Sequence, residues 1–397
     1  MTSKALEHPA TAQEWPLRHN PDYALLAAVV ALVIFGIVMV YSASYVIAYD
    51  AWDDPHYFFV RQMIWVGLGG GLLFVAARVP YHCWARWAVP GLLVAVALLL
   101  AVQFTPLDVE FGGARRWLRL GPLPPFQPSD FAKLALVLFL SAYLTRYRAR
   151  IRELRYGLLP FVLVVGSVVA LIVAQRDLGT TVIILVVTTT VFFAAGADLL
   201  QLGAIALAGV GFALITTMAE PYRWQRIITF LNPLQDVQGA GYQMTHILRA
   251  LGSGGLTGQG LGASREKFFY LPGAHTDSIF AVIGEELGLV GCLVVMVLFG
   301  FLAYRGYRVA LRAPDSLGFL LAIGITTWIT FQAFLNVAGT TNSLPLTGVP
   351  LPFISSGGSS MIAVLFGIGL LLNISRYQTD VADGSPAPTR ARRVRVH

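Results

Sequence analysis

The chain is built on runs of roughly twenty mostly apolar residues, the length an α-helix needs to cross the hydrocarbon core of a bilayer. These runs fall near 23–48, 58–77, 87–105, 129–145, 157–175, 180–196, 201–218, 278–303, 317–338 and 353–373. In lipid each segment has to satisfy its own backbone hydrogen bonds, and a helix does so within one span. Composition points the same way. With 56% apolar and 12% charged residues, the chain carries about half the charge of an ordinary soluble domain. The sequence predicts an all-α integral membrane protein of about ten transmembrane helices.

Ten spans put both termini on one side, and the basic residues say which. With the N-terminus inside, the cytoplasmic segments hold seventeen Lys and Arg against ten outside. The short loops at 146–155 and 304–312 carry most of that bias, giving an N-in, C-in arrangement. The net charge of +7 is spread over these loops instead of forming one patch, so it signals topology and not nucleic acid. Residues 1–21 form a cytoplasmic N-terminal segment without the apolar run of a cleavable signal peptide. Residues 22–376 form the membrane domain, and 377–397 a disordered, basic cytoplasmic tail. A disulfide between Cys83 and Cys292 is not expected. One connection, 219–276 between the seventh and eighth spans, is too long to be a mere connector.

Ionisable residues within or at the rim of spans are functional candidates by default. Asp277 opens the eighth span, where a helix N-terminus favours a carboxylate. It reads either as a first-turn acid or as a working group. His275, Thr276, Arg265, Lys267 and the glycine run 252–262 precede it on what the sequence presents as one wet face. Farther along, Glu286 faces almost opposite Asp277, and the Glu285–Glu286 pair is expected to serve structural pairing with basic groups. Asp130 and Lys133, three apart, share a helix face; a structural salt bridge and a substrate or metal role both remain open. Arg115, Arg116 and Trp117 fit either an interfacial anchor or a grip on pyrophosphate with the indole on a sugar or lipid. The glycine run follows no strand, so no nucleotide motif is met, and flexibility explains it equally well. Ser355 and Ser356 sit among small residues at the mouth of the last span.

Taken together, Arg115-Arg-Trp117, Gln127-Pro-Ser-Asp-Phe-Ala-Lys133, Asp177-Leu-Gly-Thr180, Gly241-Tyr-Gln243, Gly260-Leu-Gly-Ala-Ser264, Tyr270-Leu-Pro272, His275-Thr-Asp277, the segment 279–288 and Pro350-Leu-Pro-Phe-Ile-Ser-Ser-Gly-Gly-Ser-Ser360 resemble the SEDS family (shape, elongation, division and sporulation) from the first span to the last. Tyr222-Arg-x-x-Arg226 leans toward the division and sporulation branch. The family usually has Glu at the positions of Gly273 and Asp130, Phe at Ser278 and Pro at Arg176. Gly273 removes an acid four residues before Asp277, so no metal-ligand role is carried over to that loop position.

The resemblance implies peptidoglycan glycosyltransfer: polymerisation of lipid II at the outer face of the bacterial cytoplasmic membrane, in division or shape control. It places the catalytic acid at Asp277. An acceptor hydroxyl that attacks an anomeric carbon needs a base, and a departing lipid pyrophosphate needs cations. Substrate-binding candidates are Arg116, Trp117, Gln127, Asp130, Lys133, Arg223, Arg226, Lys267, His275, Thr276, Ser355 and Ser356, with Mg or Mn as a possible divalent cofactor. The expected partners are membrane lipid, a class B penicillin-binding protein that crosslinks, and other division or elongation proteins. A flippase that moves lipid II unchanged, and a scaffold of the division machinery, are the rival readings. Accessibility labelling from outside the cell is expected to reach position 277; a position facing the cell interior or sealed in lipid overturns the enzymatic reading.

Overall fold

A computed structural model describes residues 19–377 except 112–113, 120, 122–123, 220, 234–235, 237 and 240, together with side chains except those of 110–111, 114, 213–214, 216–217, 219 and 221–223. The terminal segments 1–18 and 378–397 lie outside it.

The apolar runs fold as helices α1 (Tyr23–Trp52), α2 (Tyr57–Arg78), α4 (Ala88–Phe104), α5 (Pro128–Arg146), α6 (Leu158–Ala174), α7 (Leu178–Ala194), α8 (Leu199–Ala219), α11 (Ile279–Leu311), α12 (Ser316–Thr340) and α13 (Gly358–Ser375). Among the described residues, six helices are long and apolar enough to cross a membrane, and α4, α6, α7 and the Leu199–Phe212 part of α8 are shorter apolar stretches. Side chains such as Ile34, Ile64, Leu68, Leu93 and Leu207 point outward along them. An exposed apolar belt of this extent is a lipid-facing surface. The chain is a multi-pass helical membrane protein.

Helix ends follow local chemistry. Asp22, Asp177 and Asp315 each accept an amide hydrogen bond at a helix start, from Leu25, Thr180 and Gly318, satisfying donors that a first turn leaves open. Pro128 enters the first turn of α5, where its missing N–H is harmless. At the end of the bundle that holds the N-terminus of α1, Asp22 pairs with Arg305 at 2.6 Å. There too Asp315 accepts from Tyr81 of the short helix α3 (Tyr81–Arg86).

The opposite end carries structure that the apolar pattern does not encode. An antiparallel hairpin, β1 (Asp108–Phe111) with β2 (Ala114–Leu118), pairs Val109 with Trp117 and is irregular at Val109/Glu110. The long connection is not a simple loop, since it holds helices α9 (Pro221–Leu231) and α10 (Tyr242–Gly254). Its glycine run is not loose either. Helix α11 breaks at Gly288, whose φ of 64° lies in the left-handed region, where glycine carries no Cβ penalty. The run packs into that break: Gln259 N donates to Glu285 O at 3.0 Å, Gly260 N to Glu286 O at 2.9 Å, and Leu289 N to Gly255 O at 3.0 Å. A Cβ on Gly258 would collide with the Glu286 carbonyl. Backbone meets backbone here because neither side carries bulk.

Lys267 locks this arrangement. Its Nζ meets Glu286 Oε1 at 2.7 Å and donates to Gly262 O at 2.8 Å, while Ser42 Oγ lies 2.7 Å from the same carboxylate. Both charged side chains are 0% exposed. The expected pairing of the Glu–Glu dipeptide is therefore found at Glu286, whereas Glu285 accepts from Ser264 Oγ and from Arg265 N. Lys267 is thus not on a wet face beside Asp277, because a buried carboxylate demands its charge. Lys267→Met leaves Glu286 buried and unpaired, and is expected to lower stability by about 3–5 kcal/mol. Thermal unfolding of the solubilised protein reads this, and Lys267→Met with Glu286→Leu is expected to recover much of the loss.

Candidate functional site

Two polar groups converge on the hairpin end of the bundle. The first begins at α5. Asp130 and Lys133 form a buried pair at 2.9 Å. Ser359 Oγ at the start of α13 donates to the second oxygen of Asp130 at 2.7 Å. Lys133 Nζ also donates to Gln332 Oε1 at 2.9 Å, and that same oxygen accepts from Trp328 Nε1 at 2.9 Å. Toward the surface, Gln127 N donates to Ser359 Oγ and Gln127 Nε2 to Asp177 Oδ2, at 3.1 and 2.9 Å. Arg116 approaches Asp177 at 4.0 Å and donates to the carbonyls of Gln175 and Arg176 at the end of α6. A continuous polar chain thus runs inward from the hairpin to Lys133. Trp117 is half-buried on the hairpin.

The second group surrounds Asp277, which lies in the turn before α11. Three main-chain carbonyls of this turn are gripped from elsewhere. Ser356 N donates to His275 O at 2.9 Å, Ser355 Oγ to Thr276 O at 2.6 Å, and Asn336 Nδ2 to Asp277 O at 2.8 Å. The carboxylate itself meets Thr276 Oγ1 at 3.0 Å and Gln243 Nε2 of α10 at 3.5 Å. Gly348 faces it from the strap of residues 346–356: a Cβ there would stand 3.8 Å from Asp277 Oδ2. Burial pushes the Asp277 carboxyl above its ordinary value, against the pull of Thr276, its own backbone, Gln243 and the charge of Arg226. Arg226 donates to Leu346 O of the strap at 2.8 Å. Burial also lowers His275 to about 4, so its ring, 4.5 Å from that of Phe58, is neutral near pH 7.

The structure thus gathers Asp277, Thr276, His275, Ser355, Ser356 and Arg226 at one place, and Arg116, Gln127, Asp130 and Lys133 at a second. Lys267 belongs to neither. Arg223 lies in α9 with its side chain outside those described. Gln243, Gln332, Asn336, Asp177 and Ser359 were missed as site residues, although amides inside an apolar span are a readable signal. Among the described residues no three His, Cys, Asp or Glu side chains are placed to hold a metal. A cavity of about 340 Å³ at the opposite end, walled by Leu144, Leu311, Phe319 and Arg148, contains none of these groups.

A family model described as a cell cycle protein, FtsW/RodA/SpoVE, matches residues 23–380. A probable peptidoglycan glycosyltransferase FtsW of Trichlorobacter lovleyi is 42% identical over 354 residues, 89% of this chain and 93% of that one. Stage V sporulation protein E of Bacillus subtilis is 38% identical, covering 90% and 98% of the two chains. Two solved structures share the fold. One, described as structural coordination of polymerization and crosslinking by a peptidoglycan synthase complex, has a TM-score of 0.73 and 30% identity, over 91% of this chain and 99% of that one. The rod shape determining protein RodA of Thermus thermophilus has a TM-score of 0.67 and 31% identity, over 90% and 98%. By sequence and by fold, the chain belongs to the FtsW/RodA/SpoVE family, the SEDS proteins.

Proposed function

We propose that this chain is a peptidoglycan glycosyltransferase that polymerises lipid II, with Asp277 as the catalytic base. The observation that carries the assignment is the setting of that carboxylate. It is held by its backbone, forms no ion pair among the described residues, and has its pKa raised by burial. A base whose pKa is lifted toward the working pH takes a proton more readily than an ordinary aspartate. In the reaction the acceptor hydroxyl oxygen attacks the anomeric carbon of the donor, its proton passes to the Asp277 carboxylate, and the bond to the lipid pyrophosphate breaks with its electrons on the leaving phosphate. A leaving group already activated in this way needs no second acid. Arg226 is the cation nearest the proposed base, and Arg116, Gln127 and Lys133 supply polar contacts farther along the sugar–pyrophosphate headgroup.

In the proposed arrangement, with ten spans and both termini in the cytoplasm, the site lies on the outer face of the bacterial cytoplasmic membrane. The arginine-rich loops at 146–155 and 304–312 support that orientation. A divalent cation would take most of its ligands from the pyrophosphate and water, the usual habit of Mg, and would offset charge on the leaving group. A class B penicillin-binding protein is the proposed crosslinking partner, and cell division the proposed setting.

Asp277→Asn is expected to abolish glycan chains from purified lipid II while the protein stays folded; substantial polymerisation by that variant removes the assignment. The unsubstituted enzyme is expected to lose kcat/KM as pH falls, with a midpoint above the ordinary aspartate value of about 3.9, because a base acts only when deprotonated and its pKa is raised. A flippase would instead exchange labelled lipid II across liposomes without forming chains.

A further inference from the structure

We propose that Asn336, backed by Gln332, is a positioning residue that sets Asp277 against the Lys133 site. The inference rests on the glycosyltransferase reading above and extends it to side chains of α12. Trp328, Gln332, Asn336 and Thr340 recur every four residues on α12, which makes them one stripe of the helix, and all are buried. The two amides in the middle reach both polar groups. Gln332 accepts from Lys133 at 2.9 Å and donates to Pro350 O at 3.0 Å. Asn336, 4% exposed, donates both of its amide hydrogens, to Asp277 O and to Val349 O, each at 2.8 Å. Its acceptor oxygen has no partner among the described residues. With carbonyls on both sides the amide has only one workable orientation, since its own oxygen has nothing to offer them.

One rigid helix thus holds the main chain of the proposed base, the strap beside it and the Lys133 ammonium at a fixed spacing of one helical turn. Asn336 bonds to the Asp277 main chain, while the carboxylate's hydrogen bonds among the described residues come from Thr276 and Gln243. Its removal acts on where that carboxylate stands and not on what the carboxylate is. The charged and titratable groups around this position are Asp277 and His275 from the turn, Arg226 from α9, and Lys133 with Asp130 from α5.

Asn336→Asp tests the claim in the full chain, reconstituted in liposomes with purified lipid II. A protonated aspartic acid donates one hydrogen bond and so still holds one carbonyl; an ionised one donates none and repels both. Burial raises the pKa of such an acid. The variant is expected to keep KM for lipid II within about twofold, and its kcat relative to the unsubstituted protein is expected to be at least tenfold lower at about pH 8 than at about pH 5.5. Thr330→Val, on another face of α12, is expected to leave kcat within about twofold at both pH values. Where Asn336→Asp does not accumulate as a folded protein, Asn336→Ala supplies the reading: a tenfold or larger fall in kcat with KM held supports the proposal. A pH profile like that of the unsubstituted protein, an effect confined to KM, or unchanged kcat in Asn336→Ala overturns it. Absence of glycan chains from the unsubstituted protein sinks the glycosyltransferase reading instead, so the two failures are separable.

Discussion

Lipid offers no hydrogen bonds, so every interruption of a spanning helix has to be satisfied by the protein itself. Helix α11 meets that constraint at Gly288, where its helical ladder breaks and the glycine run of the preceding loop fills the gap with its own amides and carbonyls. The Lys267–Glu286 pair closes the same junction with two opposite charges shut away from water. Everything upstream inherits its position from there. Leu271 N bonds to Glu266 O at 2.8 Å and Ser278 N to Gly273 O at 3.0 Å. The turn that presents Asp277 is therefore continuous with a docked, hydrogen-bonded segment.

Two acids at this end of the bundle show how environment separates roles that residue type alone leaves equal. Asp130 has Lys133 on one oxygen and Ser359 on the other, with both partners of the pair buried. Its charge is balanced within the protein, and the pair orders α5 against α12 and α13. Among the described residues, the side-chain donors at the Asp277 oxygens are neutral, Thr276 and Gln243, and burial raises its pKa. A carboxyl that burial raises above its ordinary value is better placed to exchange a proton near the working pH.

The apolar helices were legible because lipid solvation writes them as long apolar runs, which the hydropathy pattern locates without reference to tertiary contacts. Asp277, Asp130 and Lys133 were legible because charge is rare in such a background. Lys267 was misjudged: its nearness in sequence to Asp277 suggested a shared wet surface, but its partner, Glu286, lies two residues before the break at Gly288, where the glycine run folds back onto α11 in a way that a helix drawn as continuous does not show. The amphipathic helices α9 and α10 were hidden for a related reason, since eleven and thirteen residues of mixed polarity fall below any spanning threshold. Asn336 and Gln332 stayed unnoticed because an amide within an apolar run has no charge to draw attention, and its meaning lies in the carbonyls of a strap that only tertiary structure brings alongside.

The way Asp277 is anchored bears directly on what it can do. Ser355, Ser356 and Asn336 act on three consecutive main-chain carbonyls, those of residues 275 to 277. None of them draws on the carboxylate. A side chain located by ion pairing gives up lone pairs and basicity to its partner, whereas one located through its backbone keeps both for the substrate. Anchoring of this kind also holds the acid still without the reorganisation that a mobile charge requires as charge develops in a transition state. His275, two residues before the acid and packed on Phe58, is neutral near pH 7 and so adds no positive charge to the turn. Backbone capture and burial are thus two consequences of one local design, in which position is fixed through the main chain and reactivity is left to a single carboxylate.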